Sequence, residues 1–193
     1  MEEVKATPLN PALQNAQHKI DEWVSLNDAT AELDLSNLEL TELPTLPQGL
    51  KRLYCYCNQL TELPELPQSL IVLYCHNNDL SELPPLPFSL KTLLCDHNQL
   101  TELPLLPQGL KGLMCGYNPL IELPSLPSSL EILGCHYSQL TKLPLLPESL
   151  KWIDYHGNFL QYPSPEVLER PLEEIKEWMS ENPLNFVKSA AKQ

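Results

Sequence analysis

Leucines recur along this chain in one fixed register. A shift of 20 residues lays the chain on itself: "LKRLYCYCNQLTELPELPQS" from Leu50 matches "LIVLYCHNNDLSELPPLPFS" from Leu70. "LKTLLCDHNQLTELPLLPQG" from Leu90, "LKGLMCGYNPLIELPSLPSS" from Leu110 and "LEILGCHYSQLTKLPLLPES" from Leu130 follow without insertion or deletion. A copy from Leu150 decays at its end, and one from Thr30, "TAELDLSNLELTELPTLPQG", is degenerate at its start, making about seven in all. In each copy, alternation over x-L-x-C-x predicts a short parallel strand. It sends Leu53 and Cys55 inward and Arg52, Tyr54 and Tyr56 outward. The remaining residues leave no room for a helix, and L-P-x-L-P predicts an extended, polyproline-like return path. One such coil is too small to bury its own leucines, so neighbours stack into a continuous core.

The unit L-x-x-L-x-C-x-x-N-x-L-x-x-L-P-x-L-P-x-x is a leucine-rich repeat at the short end of the usual range of about 20–29 residues. The expected fold is a leucine-rich repeat solenoid of the α/β horseshoe class: a parallel concave sheet, an extended convex side and helical caps. The ninth position carries Asn58, Asn78, Asn98, Asn118 and Asn158, expected inside the coil to satisfy backbone groups at the bend. Ser138 breaks that column and predicts local looseness. The sixth position carries Cys55, Cys75, Cys95, Cys115 and Cys135, with Leu35 and Tyr155 at the two ends. A position that accepts Leu, Cys or Tyr is a core position, and parallel side chains on neighbouring rungs do not point at each other. These thiols are therefore expected reduced and buried, with Cys57 the one accessible thiol.

A stack of coils exposes leucines at both ends and needs caps. Asn10 and Pro11 make a helix start, and Leu13, Ala16, Ile20, Trp23 and Val24 follow at helical spacing, predicting a cap helix over Pro11–Leu26. At the other end, Ser164 and Pro165 start a short helix, and Leu172, Ile175, Trp178 and Met179 share one helical face. The expected division is a cap at 1–29, repeats at 30–163, and a second cap with a tail at 164–193, its last residues 188–193 frayed.

Composition narrows the partner. Of 193 residues 42% are hydrophobic, so a core is expected, and the formal charge of -13 argues against nucleic acid and anionic membranes. No apolar run is long enough to span a membrane and no basic-then-apolar leader opens the chain. A soluble protein is expected, either cytoplasmic or exported into a host cell without a cleaved signal. A monomer is the default state. There is no nucleophile–base arrangement, phosphate loop or metal-ligand spacing, so neither catalysis nor a cofactor is expected.

The paired L-P of the 20-residue unit resembles the repeats of bacterial type III effectors of the IpaH and YopM families, over residues 30–163. That resemblance implies a protein-binding module. IpaH-type members add a ligase domain with a catalytic cysteine in C-x-D; that motif is absent here, and the ligase function is not implied.

Function is then expected on the concave face. Outward positions three, five and seven supply Arg52, Tyr54, Tyr56, Tyr74, His76, Leu94, Met114, Ile132, His136, Trp152, Asp154 and His156 as candidate partner contacts. With the eighth position, this face takes five of the seven tyrosines and four of the five histidines, and Tyr, Trp and Met are frequent interface anchors. Leu94, Met114 and Ile132 beside Gly112, Gly116 and Gly134 predict a shallow apolar groove. Two charge ladders flank the sheet: Lys51, Lys91, Lys111 and Lys151, and Glu42 through Glu122 at the thirteenth position. Both are expected to act mainly in solubility, with steering of a basic partner as the functional alternative. Two further readings stay open. One is a recognition domain of a larger signalling or ubiquitin-ligase system. The other is a metal- or redox-responsive module using Cys57, His136 and His156.

Overall fold

The computed structural model describes residues 10–28 and 30–183. Seven three-residue strands form one parallel sheet in chain order: β1 (Glu32–Asp34), β2 (Arg52–Tyr54), β3 (Val72–Tyr74), β4 (Thr92–Leu94), β5 (Gly112–Met114), β6 (Ile132–Gly134) and β7 (Trp152–Asp154). Each of β1 to β6 pairs residue for residue with the position 20 later, as in Arg52 with Val72, Leu53 with Leu73 and Tyr54 with Tyr74. The ladder runs on past the strands, because the Cys55 N–H donates to Tyr74 O at 2.8 Å and the Cys57 N–H to His76 O at 3.1 Å. The sixth position therefore behaves as strand, as the alternation predicts.

The core is a set of columns running the length of the stack. Leu53, Leu73, Leu93 and Leu113 are fully buried, and so are Cys55, Cys75, Cys95, Cys115 and Cys135. Burying one leucine is worth about 1.5–3 kcal/mol, so the coils are held mainly by these columns. The convex segments contain no helix. In each, two leucines turn inward, as Leu63 and Leu66 do, and a tight turn closes with the Leu70 N–H on Pro67 O at 3.0 Å.

The asparagine column is an internal brace. Asn98 Oδ1 accepts the Leu80 N–H at 3.0 Å, while its Nδ2 donates to Cys75 O and Cys95 O at 3.0 and 3.1 Å. With Asp96 O at 3.2 Å, one side chain thus ties four backbone groups across two coils. Ser138 is buried in the same column, and its hydroxyl has no hydrogen-bond partner among the described residues. The coil keeps its path there, with the Gln139 N–H on Leu120 O at 2.9 Å, so the missing asparagine shows as lost hydrogen bonds rather than lost register.

The first cap is α1 (Pro11–Leu26), started by Asn10, whose side chain accepts the Ala12 N–H, and ended by Asn27 in a left-handed conformation. Ala16, Ile20 and Trp23 are buried, and the Trp23 indole N–H donates to Ala31 O at 3.0 Å. Val24, expected on that face, is instead exposed, one position past the buried stripe. The second cap is α2 (Pro165–Leu168) and α3 (Leu172–Glu181). Ile175 and Met179 are buried, and Leu172 and Trp178 pack on the core's margin. Tyr155, which replaces the cysteine of the sixth column, reaches this cap and donates to Leu168 O at 2.7 Å. Lys176 is also buried, at 3% exposure, and its ammonium donates to Glu148 O and Leu150 O at 3.1 and 3.3 Å. In earlier coils a serine hydroxyl takes the equivalent carbonyl, as Ser89 does with Leu70 O. The expected frayed residues 188–193 lie outside the described residues.

Candidate binding surface

Strand pleating places the third, fifth and seventh positions of all seven coils on one face. At its N-terminal end the side chains hold one another. Tyr54 stacks on Tyr74 with ring centroids 4.9 Å apart, and Tyr56 on His76 at 4.7 Å. The Tyr54 hydroxyl donates to Glu32 at 2.8 Å, and Arg52 donates to Thr30 O at 2.8 Å. Burial, then the bond to the Glu32 carboxylate, pushes the Tyr54 phenol up to about 12. The four rings therefore form a stiff aromatic block rather than a set of loose side chains.

The middle is level. The Met114 side chain lies over Gly134, and the His136 ring lies over Gly116; a Cβ at either glycine would meet those atoms at under 3 Å. These two glycines make room for neighbours, so the expected groove is filled at both points. Gly112 is different: a Cβ there would meet only Thr92 Cγ2, at 3.7 Å, and the sheet is open above it. Next to it, Ile132 and Trp152 are 45% exposed on adjacent strands. What remains of the groove is a notch at Gly112 with an apolar shoulder.

The C-terminal end is polar. Asp154 Oδ1 stands 2.8 Å from His156 Nδ1, and Oδ2 stands 3.5 Å from His136 Nδ1. Burial acts to raise the Asp154 carboxyl, but the bonds from His156 and the nearby imidazoles outweigh it and leave it below the usual range. Among the described residues no group of three or more His, Cys, Asp or Glu is placed to hold a metal ion. Five of the six thiols are buried and pushed up by that burial, Cys55 and Cys135 to about 12; Cys57 alone is exposed.

Two features escaped sequence reasoning. The eighth position is a left-handed corner beyond the strands, with φ between 48° and 57° at Asn37, Cys57, Asn77, His97, Tyr117 and Tyr137. Asn and Gly tolerate that conformation, whereas other residues incur about 1–2 kcal/mol. Three of the bulkier ones recover contact energy by stacking: His97 on Tyr117 at 4.1 Å and Tyr117 on Tyr137 at 4.8 Å. The Asn–Asn–Gly occupants at three of the seven corners were the available signal. The second feature is Asp96, centred in the seventh column between His76 and Gly116. Burial raises its carboxyl above the usual range, against hydrogen bonds from its own N–H and the Gly116 N–H and the pull of His136 and His76.

A parallel sheet of one-strand coils with a leucine core and a helical cap at each end defines a leucine-rich repeat protein. The leucine-rich repeat domain of a Shigella effector matches it at 36% identity and a TM-score of 0.75, covering 86% of this chain and 74% of that one. YopM of Yersinia pestis matches at 36% identity and a TM-score of 0.69, over 81% of this chain and 51% of its own. YopM of Yersinia enterocolitica WA-314 matches at 34% and 0.63, over 80% and 39%. The chain thus spans about half or less of the two YopM chains. No protein-family model and no curated protein matches it. The chain belongs to the leucine-rich repeat proteins of bacterial effector type, a family of protein-interaction modules. No helix among the described residues is long and apolar enough to cross a membrane.

Proposed function

We propose that this protein is a non-catalytic effector or adaptor that binds a protein partner on its concave face. The observation that carries this reading is the exposed apolar shoulder of Ile132 and Trp152 beside the open notch at Gly112. Large apolar groups on a rigid sheet lose little entropy on docking, and aromatic anchors of this kind dominate interface energies. The stacked block of Tyr54, Tyr56, Tyr74 and His76 forms the second contact zone. Likeness to effector repeats supports action on a protein of a host cell.

The test is affinity capture from host-cell lysate with the native chain and with an Ile132→Arg/Trp152→Ala variant. Both positions point outward, so the variant should melt with the native chain. A protein retained by the native bait and lost by the variant supports the reading. Equal retention overturns it and moves the contact to the convex side. There a crevice of about 580 Å³ is lined by Leu123, Leu126, Leu145 and Leu146.

A second reading, that the repeats serve as the recognition part of a longer signalling protein, draws on the Shigella neighbour, which is itself described as a domain of an effector. Co-purification of a catalytic partner favours it.

A further inference from the structure

The centre of the concave face holds a carboxylate, Asp96, that no lysine or arginine among the described residues pairs with. One oxygen of Asp96 accepts the Gly116 N–H at 3.1 Å. Its own backbone N–H also bonds the carboxylate, and no lysine or arginine pairs with either oxygen among the described residues. The face's only arginine, Arg52, is committed to Thr30 O, and Lys111 and Lys151 both pair with Glu131. On either side stand imidazoles, His76 one coil before and His136 leaning back over Gly116. Each has its Nδ1 buried without a hydrogen bond, the His136 atom 3.5 Å from Asp154 and outside bonding geometry. Burial holds His76 below its usual 6.5, so it is neutral at pH 7 and does not balance Asp96. A half-buried carboxylate without a cation is costly, and a cation arriving from outside would lower that cost.

The surroundings select the kind of cation. Leu94 and Met114, half-buried on adjacent strands, lie on the same face as Asp96 and offer an apolar bed for an alkyl stem. The Tyr74 ring is one strand further on, at the register position beside Leu94. A carboxylate without a cation, flat aromatic rings and an apolar bed suit the planar fork of a guanidinium better than the point charge of an ammonium. The chain's net charge of -13 attracts such a partner at long range. We infer that Asp96 is the anchor for an arginine side chain of the protein partner, its guanidinium set on the carboxylate between His76 and His136 and its stem along Leu94 and Met114. This inference rests on the concave-face reading above and names the chemistry of the partner's contact.

The test uses N-acetyl-arginine amide against the whole chain, with N-acetyl-citrulline amide as the uncharged isostere. The Gly116 amide, bonded to Asp96, is the reporter in a two-dimensional ¹H–¹⁵N spectrum. The expected result is a saturable shift of Gly116 and of the His76 and His136 rings with the arginine probe at millimolar concentration. Citrulline and the Asp96→Asn variant should give none. An asparagine oxygen still accepts the Gly116 N–H, so that variant keeps the fold, checked by an unchanged or higher Tm. With the captured partner in hand, Asp96→Asn should weaken its binding tenfold or more. No Gly116 shift with arginine, an equal shift with citrulline, or a shift that survives Asp96→Asn overturns the anchor. If the partner is lost by Ile132→Arg/Trp152→Ala but unaffected by Asp96→Asn, the concave-face reading stands and the arginine anchor falls. If neither variant affects capture, both fall.

Discussion

The inward and outward columns of this sheet share one backbone and differ in almost everything else. Positions four and six hold Leu53 to Leu113 and Cys55 to Cys135, all fully buried and nearly invariant along the stack. Positions three, five and seven, a single residue away, run through Glu, Arg, Val, Thr, Gly, Ile and Trp in the third column alone. The inner columns answer to a space that each coil must fill in the same way, because the next coil stacks on it at a strand spacing of about 4.8 Å. The outer columns touch one another along the sheet but open to solvent on their far side, so they vary more freely, and a binding surface can be built only from positions with that freedom.

The sharpest way to separate the two sides is their chemistry. Under native conditions at pH 8, a thiol reagent should label exposed Cys57 well before the five buried cysteines, because the thiolate is the nucleophile and burial suppresses both it and access. Equal rates for all six thiols, followed by mass spectrometry, would remove the distinction between the columns. Energetics follow. Leu93→Ala should lower the unfolding free energy by about 2–5 kcal/mol, read from the denaturant midpoint.

The asparagine brace tests the same contrast for a polar core residue. Asn98→Ala strands the Leu80 N–H and removes the donor to three carbonyls, at an expected loss of about 2–4 kcal/mol. Ser138→Asn is the reciprocal change and should stabilise by about 1 kcal/mol, since it restores the brace to the one interior coil that lacks it. A destabilised Ser138→Asn chain would show that this coil cannot accept the larger side chain.

The outer face should respond weakly, and to pH. His76 is held below its usual 6.5, so the unfolded chain binds its proton more readily than the folded one. Stability from this group is present at pH 7 and is lost as pH falls from 6.5 toward the lowered folded value. Asp96, raised from 3.8, acts oppositely: its charge opposes folding at neutral pH, and that opposition is relieved as acid protonates it. Thermal melts across pH 7 to 5 should show a decline that His76→Gln abolishes. Smallest of all, Trp152→Ala should shift stability by less than about 0.5 kcal/mol while still reducing partner retention.

Much of the fold was legible because its determinants repeat locally. A period of two decides which side of a strand faces the core, a period of 20 decides what stacks on what, and proline denies the return path to a helix. The cap over Pro11–Leu26 was readable for a similar reason, since Asn10, Pro11 and the apolar spacing all act within a few residues. The candidate surface was legible only as a list of outward positions. Tertiary structure alone placed Met114 over Gly134 and His136 over Gly116, turning an expected groove into a level floor with one notch. Stacking likewise buried the ammonium of Lys176 against Leu150 O, 26 residues away, and left Asp96 in the middle of the face without a lysine or arginine partner among the described residues. Those outcomes depend on which side chain stands one or two coils distant. A column pattern specifies direction but not the lean of a flexible side chain into whatever space its neighbour leaves.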